Sequence, residues 1–245
     1  MEKNDEYNLL IYDLKKENKD TISIDYRNSN FKKISIPFEE LNCNIIIKQD
    51  YRIGKGGIFW DGSFFTIKYL LNNVFNKLFI NKIPNVLELG AGTAVPSIAS
   101  LIRGSNTIIT DLPNYIPFLN EIIELNKNNF NKNSTFNILP LDWSKEKDIE
   151  NIKKMNNNKA FDIIIASELI YLDDLFDDLI NVLREFSDEN TFIILSYKIR
   201  LPSMIENFLD KLKKFFDIIF IDYQLKNQLY PNPEKLQLIQ IKKIK

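Results

Sequence analysis

Apolar residues recur at roughly every second position in the first part of the chain and at helical spacing soon after it. The segments "DTISIDY" at 20–26 and "FKKISIPF" at 31–38 alternate in this way, and "NIIIKQD" at 44–50 closes the series, so a small β appendage is expected. After Gly54, Gly56 and Gly57 the period changes. Phe64, Ile67, Leu70, Leu71, Val74, Phe75 and Leu78 then fall on one helical face, with Asp61 placed as the N-cap.

From Asn85 onward strand and helix patterns take turns. Strands are predicted at "NVLEL", "NTIITD", "TFNILPL", "FDIIIAS", "TFIILSYK", "FDIIFIDY" and "KLQLIQIKKI". Helices are predicted at "PSIASLI", "YIPFLNEIIELNK", "DDLFDDLINVLREF" and "SMIENFLDKLKKF". The polar stretch "SKEKDIENIKKMNNNK" reads as an exposed helix and loop. Such alternation predicts an α/β fold, a mostly parallel, doubly wound sheet with helices on both faces. The last two strands are joined through "LKNQLYPNPE", which carries two prolines and no helical period, so they should pair antiparallel. The expected architecture is a seven-stranded, three-layer α/β/α sheet with one reversed strand, in a single structural domain.

Length and composition narrow the partners. A chain of 245 residues suits one decorated α/β domain. Basic and acidic residues nearly cancel, 32 against 33, with no long basic block, so no nucleic-acid partner is expected. No apolar run approaches the ~20 residues that cross a bilayer, and the start "MEKNDEYNLL" lacks the order of a signal peptide. The expectation is therefore an intracellular protein, cytoplasmic or also nuclear, monomeric and without a membrane partner. Cys43, the single cysteine, fits a small buried apolar residue better than a nucleophile. The chain contains no histidine, which removes His-based triads, His general bases and most zinc sites, so no metal site is expected. The Asn-rich runs "NKNNFNKN" and "MNNNK" read as loop filler with no assigned role.

The candidate chemistry lies in "NVLELGAGTAVPSI". In doubly wound sheets ligands sit beyond the carboxyl ends of the strands near the topological switch, and Gly90 and Gly92 occupy that loop. Glycines allow a tight turn and a close backbone approach to a ligand, and the next helix offers its N-terminal amides to an anionic group. The second strand ends in Asp111, about 20 residues further on, where a carboxylate can accept hydrogen bonds from ribose hydroxyls. NAD and S-adenosylmethionine both meet these two conditions. The third glycine of a G-x-G-x-x-G register is missing, with Val95 in its place, which departs from the dinucleotide fingerprint.

Together with "QDYRIGKGGIFWDGS", "LELGAG", "TDLP", "LDW", "ASELIYLDDLFDDLI" and "LSYKIR", in this order and spacing, these residues resemble the family-16 branch of the class I, seven-strand methyltransferases, which includes many protein-lysine methyltransferases. The similarity runs from about Gln49 to Phe220. It implies a Rossmann-like methyltransferase domain over residues 61–245, preceded at 1–60 by the β appendage and a segment covering the cofactor. It also implies S-adenosyl-L-methionine as cofactor and a protein substrate carrying the target lysine. Carried over by position, Trp60 would lie against the cofactor and Gly90, Ala91 and Gly92 would wrap its methionine part. Asp111 would bind the ribose, Trp143 with Asp142 would lie at the adenine, and the backbone of Ser167 would border the adenosyl and methionyl groups. The family's D-x-x-Y signature reads Glu168-Leu169-Ile170-Tyr171 here, with the charge kept and one methylene added. Glu168 would hold the incoming ammonium and Tyr171 would orient the amine. Two further departures are Ala94, where the family commonly has glycine, and Ser167, where it commonly has alanine.

Other readings remain open at this point. The same fold could methylate another protein side chain or a small molecule, or bind the cofactor as a scaffold without turnover. An NAD oxidoreductase is disfavoured by the glycine register.

Overall fold

The computed structural model describes residues 9–11, 33–78, 82–229 and 233–244, so the strand expected at 20–26 lies outside the described residues. The appendage is a three-stranded sheet of β1 (Leu9–Ile11), β2 (Lys33–Phe38) and β3 (Cys43–Lys48), with β2 parallel to β1 and antiparallel to β3. Its alternation is realised. Ile34, Ile36 and Phe38 of β2 and Ile45 and Ile47 of β3 are buried in the same apolar cluster as Phe64, Ile98, Ile109 and Phe118 of the main body. Cys43, expected to be buried, is half-buried at the start of β3, and the burial it has still pushes its thiol upward, away from thiolate chemistry.

The main sheet contains β4 (Asn85–Leu89), β5 (Asn106–Asp111), β6 (Thr135–Pro140), β7 (Ile163–Ser167), β8 (Phe192–Lys198), β9 (Phe216–Phe220) and β10 (Leu236–Lys243). Their order is β6-β5-β4-β7-β8-β10-β9. β10 runs antiparallel to both β8 and β9, and the other neighbours pair parallel, so the one reversed strand is present. The chain leaves β4 toward β5 on one side and meets β7 on the other, which makes the carboxyl ends of β4 and β7 the switch point.

Helices α1 (Asp61–Tyr69), α2 (Asn76–Leu78), α3 (Val95–Arg103), α4 (Ile116–Asn126), α5 (Glu146–Met155), α6 (Phe176–Phe186), α7 (Pro202–Leu212) and α8 (Gln224–Leu229) accompany the strands. The strand period divides the core in two. Val86, Ile163, Ile165 and Ile194 pack on one face with α1, α3 and α4, and Leu87, Leu89, Ile164 and Ile193 pack on the other with α6 and α7. The appendage is also tied by polar contacts, since the Asn126 side chain accepts from the Ile46 amide at 2.9 Å and donates to the Ile46 carbonyl at 2.6 Å.

Three local expectations are corrected. Trp60, not Asp61, stands at the N-cap of α1, and Asp61 is the first helical residue, its carboxylate accepting from Lys198 Nζ at 2.7 Å. The connection from β9 to β10 is not free of helix, because α8 forms in "QLKNQL"; one short helix does not provide a parallel crossover, and the strands still pair antiparallel. The Asn run after α5 has a role. Asn157 and Asn158 both take φ 55, a left-handed conformation that asparagine tolerates better than most residues, and Asn156 Nδ2 donates to the Lys159 carbonyl at 2.8 Å, closing the helix end. Among the described residues no helix is long and apolar enough to cross a membrane.

Candidate functional site

The turn between β4 and α3 carries three consecutive alternate residues in the left-handed region, Gly90 at φ 55, Gly92 at φ 54 and Ala94 at φ 54. At Gly92 two requirements coincide, since a Cβ there would be strained by φ and would lie 3.0 Å from the Gly56 carbonyl oxygen. The turn is therefore faced at close range by the segment that precedes α1. Ala94, where the resembling family commonly has glycine, takes the same left-handed conformation despite its Cβ, at a cost of roughly 1–2 kcal/mol.

Two buried carboxyl groups hold this turn. Asp111, 8% exposed at the end of β5, accepts from the Gly92 amide through Oδ2 and from the Leu112 amide through Oδ1, each at 2.8 Å. Burial pushes its pKa upward, and the two amides partly offset that shift. Glu88, in the middle of apolar β4, accepts from the Ser97 amide at 2.9 Å and from the Ser97 hydroxyl, at the N-terminus of α3. Burial pushes it up to about 8, with Ser97 pulling the other way. Glu88 lines the cleft, a site residue that the motifs alone do not mark. The signal was a charged residue inside an otherwise apolar strand, where carboxylates are rarely placed without a reason.

The opposite wall is the carboxyl end of β7. Glu168 is 7% exposed and has φ 60, an outlier for a residue with a side chain and a form of strain that collects at functional sites. Its amide donates to the Ser196 carbonyl at 2.8 Å. Its two carboxylate oxygens have no side-chain hydrogen-bond partner among the described residues, and Arg200 Nη2 stands 3.7 Å from Oε2. Burial raises its pKa, Lys198 and Arg200 lower it, Asp61 adds to the rise, and the Gly62 amide at the start of α1 lowers it slightly. The carboxyl lies against the first turn of α1: a Cβ on Gly62 would sit 2.6 Å from both Cγ and Oε1 of Glu168. The added methylene of Glu168 thus carries the carboxylate up to a helix N-terminus, where negative charge is favoured.

Tyr171, three residues on, has Lys55 Nζ 4.1 Å from its ring centroid, and burial is the main cause of its raised pKa. Ser167 ends β7 with a buried hydroxyl that has no hydrogen-bond partner among the described residues. Trp60 is half-buried, its indole N–H donating to the Lys55 carbonyl at 3.0 Å and its ring lying 5.5 Å from the Arg200 guanidinium. Trp143, three residues after β6, packs partly buried against the edge of the core. Asp142 accepts from the Ser144 hydroxyl at 2.7 Å and pairs with Lys145 at 3.0 Å, which together hold its carboxyl below the usual range.

One cleft of about 190 Å³ is lined by all the residues singled out from the sequence: Trp60, Gly90, Ala91, Gly92, Asp111, Asp142, Trp143, Ser167, Glu168 and Tyr171. Lys55, Ser63, Glu88 and Tyr115 line it too. The donor set fits S-adenosylmethionine. Each Asp111 oxygen uses one acceptor site on an amide and keeps another for a ribose hydroxyl. The glycine turn leaves open backbone beside it, two tryptophans flank the cleft for a flat base and a cationic sulfur, and acidic groups surround the place for positive charge.

Comparison with known proteins agrees. Residues 40–215 match a family model described as "Lysine methyltransferase". Protein N-lysine methyltransferase METTL21A of Xenopus tropicalis is 28% identical over 196 residues, 79% of this chain and 84% of that one. A putative SAM-dependent methyltransferase from Streptococcus mutans superposes with a TM-score of 0.58 at 17% identity, over 87% of this chain and 56% of that one. SMU.776, a putative methyltransferase complexed with SAH, gives 0.56 at 17% identity, over 86% of this chain and again 56% of the other. The chain thus spans little more than half of each of those two proteins, and at such identities the likeness shows the fold alone. The chain itself belongs to the lysine methyltransferase family, with a Rossmann-like fold and S-adenosylmethionine as its cofactor.

Proposed function

We propose that the cleft transfers a methyl group from S-adenosylmethionine to the ε-amine of a lysine in a protein substrate. The observation that carries this reading is Glu168, a buried, backbone-strained carboxylate that has no side-chain hydrogen-bond partner among the described residues, only Arg200 at 3.7 Å and the first turn of α1 beside it, and that borders the same cleft as the glycine turn. A carboxylate so placed is suited to a cation arriving from outside. The name of the METTL21A relative, a protein N-lysine methyltransferase, supports the choice of acceptor.

In this reading Gly90, Ala91 and Gly92 wrap the methionine part of the cofactor and Asp111 takes the ribose hydroxyls. Trp143 with Asp142 borders the adenine, Ser167 borders the adenosyl and methionyl groups through its backbone, and Trp60 lies toward the sulfonium. The bound cofactor supplies a methyl group on a cationic sulfur, which an amine can displace without any nucleophile from the protein. What remains for the chain is alignment, worth up to ~7–11 kcal/mol of a barrier, and removal of a proton from an amine whose ordinary pKa is near 10.4. Glu168 receives the ammonium, and the upward push that burial gives its carboxyl narrows the gap across which the proton must move. Tyr171 orients the amine. Residues 49–60 cover the cofactor, with Gly56 set against Gly92.

Glu168→Gln tests the assignment, because it keeps the shape and removes the charge. With methyl-labelled cofactor and whole-cell extract, the variant is expected to bind S-adenosylhomocysteine as the parent does and to label protein at least about tenfold more slowly. Equal labelling rates from about pH 7 to 9 would remove Glu168 from the handling of the amine.

A further inference from the structure

The charges around the cleft are unevenly distributed. Four carboxyl residues line it, Glu88, Asp111, Asp142 and Glu168, of which Glu88 keeps its proton near neutral pH, and a single cation, Lys55. The cofactor carries a sulfonium and an ammonium, which suit the acids, and one carboxylate, which suits none of them. The neighbouring cations are already engaged: Lys198 pairs with Asp61 at 2.7 Å, and Arg200 stands 3.7 Å from Glu168.

We propose that Lys55 is the counter-ion of the cofactor's methionyl carboxylate, and so the residue by which the cleft prefers ligands that retain this group. Three observations carry the proposal. Lys55 makes no ion pair among the described residues, and its ammonium rests against the Tyr171 ring at 4.1 Å from the centroid, which leaves N–H donors for an anion. Its backbone is anchored, since its carbonyl accepts from the Trp60 indole at 3.0 Å. The next residue, Gly56, faces Gly92 directly, so Lys55 extends from the segment that closes over the glycine turn, where the methionine part is placed. Lys55 bridges the mouth of the cleft from this segment to the residues after β7.

The inference rests on the placement of the cofactor under Proposed function, and a matched pair of ligands separates the two. Calorimetry would compare S-adenosylhomocysteine with its analogue lacking only the carboxylate, the aminopropyl thioether of adenosine. Lys55→Gln is expected to weaken S-adenosylhomocysteine about tenfold and the analogue hardly at all, with Lys55→Arg keeping most of the affinity and the difference shrinking as salt is raised. Loss of the Tyr171 contact affects both ligands equally and cancels in the comparison. Equal weakening of both ligands, or of neither, overturns the assignment. Asp111→Ala serves as the reference, since the ribose is common to both: weakening of both ligands there, with no selective effect of Lys55→Gln, leaves the cofactor placement standing and Lys55 refuted. If Asp111→Ala changes neither affinity, the placement fails and the Lys55 assignment falls with it.

Discussion

The carboxylate of Asp111 and the amide of Gly92 are joined by a 2.8 Å hydrogen bond, so the end of β5 holds the turn that follows β4. Asp111 therefore has two tasks, shaping the glycine turn and offering its remaining acceptor sites to a ribose. Asp111→Ala should weaken S-adenosylhomocysteine binding by an order of magnitude or more and should also lower unfolding stability by about 1–3 kcal/mol, because the Gly92 and Leu112 amides lose their acceptor. Calorimetry and denaturant unfolding on the same preparation would show both losses. Lost affinity with unchanged stability would mean that the turn does not depend on this carboxylate.

Glu88 makes stability depend on pH. Burial pushes its carboxyl up to about 8 from an ordinary value of 4.5, so between these values the folded chain binds a proton that the unfolded chain releases. The stabilisation from this group is fully present below the unfolded value and is lost as pH rises toward 8. Glu88→Gln, which cannot ionise, should flatten the decline of the unfolding midpoint between about pH 5 and 8 and should exceed the parent in midpoint by several degrees at about pH 9. Parallel curves for the two proteins would place the Glu88 titration outside this range.

Gly62 separates helix propensity from chemistry. Alanine is favoured over glycine in a helix by roughly 0.5–1 kcal/mol, yet a Cβ at this position would lie 2.6 Å from Cγ and Oε1 of Glu168 and 2.8 Å from Ser196 Oγ. Gly62→Ala should displace the Glu168 carboxylate and slow methyl transfer by about tenfold or more, while cofactor affinity, set by the glycine turn, stays near that of the parent. An active Gly62→Ala protein would show that Glu168 can leave the α1 terminus without consequence.

Much of this was legible in the sequence because it is local. The period-two pattern placed β2 and β3, the apolar runs placed β4 and β7, and the spacing from Gly90 to Asp111 located the mouth of the cleft. What was missed depends on partners distant in the chain or on conformations that composition does not reveal. Glu88 inside "LELGAG" gives no local sign of its role, because its partner, the first turn of α3, meets it only when that helix folds back over β4. The contact between Gly62 and Glu168 joins α1 to the end of β7, and neither segment alone implies it. The Asn run after α5 has the composition of a loop, yet Asn157 and Asn158 supply the left-handed residues that follow the helix end. Asp61 resembled a cap by type, but its carboxylate is drawn to Lys198 on β8, and the helix begins one residue earlier than a capping role would require.

The identity of the methylated atom tests the central claim most directly. The protein would be incubated with methyl-labelled S-adenosylmethionine and cell extract, and the labelled material hydrolysed to amino acids and separated. The predicted result is label on the ε-nitrogen of lysine in a protein, strongly reduced with Glu168→Gln. Label on another side chain or on a small molecule, or no transfer at all by a preparation that binds S-adenosylhomocysteine, would contradict it.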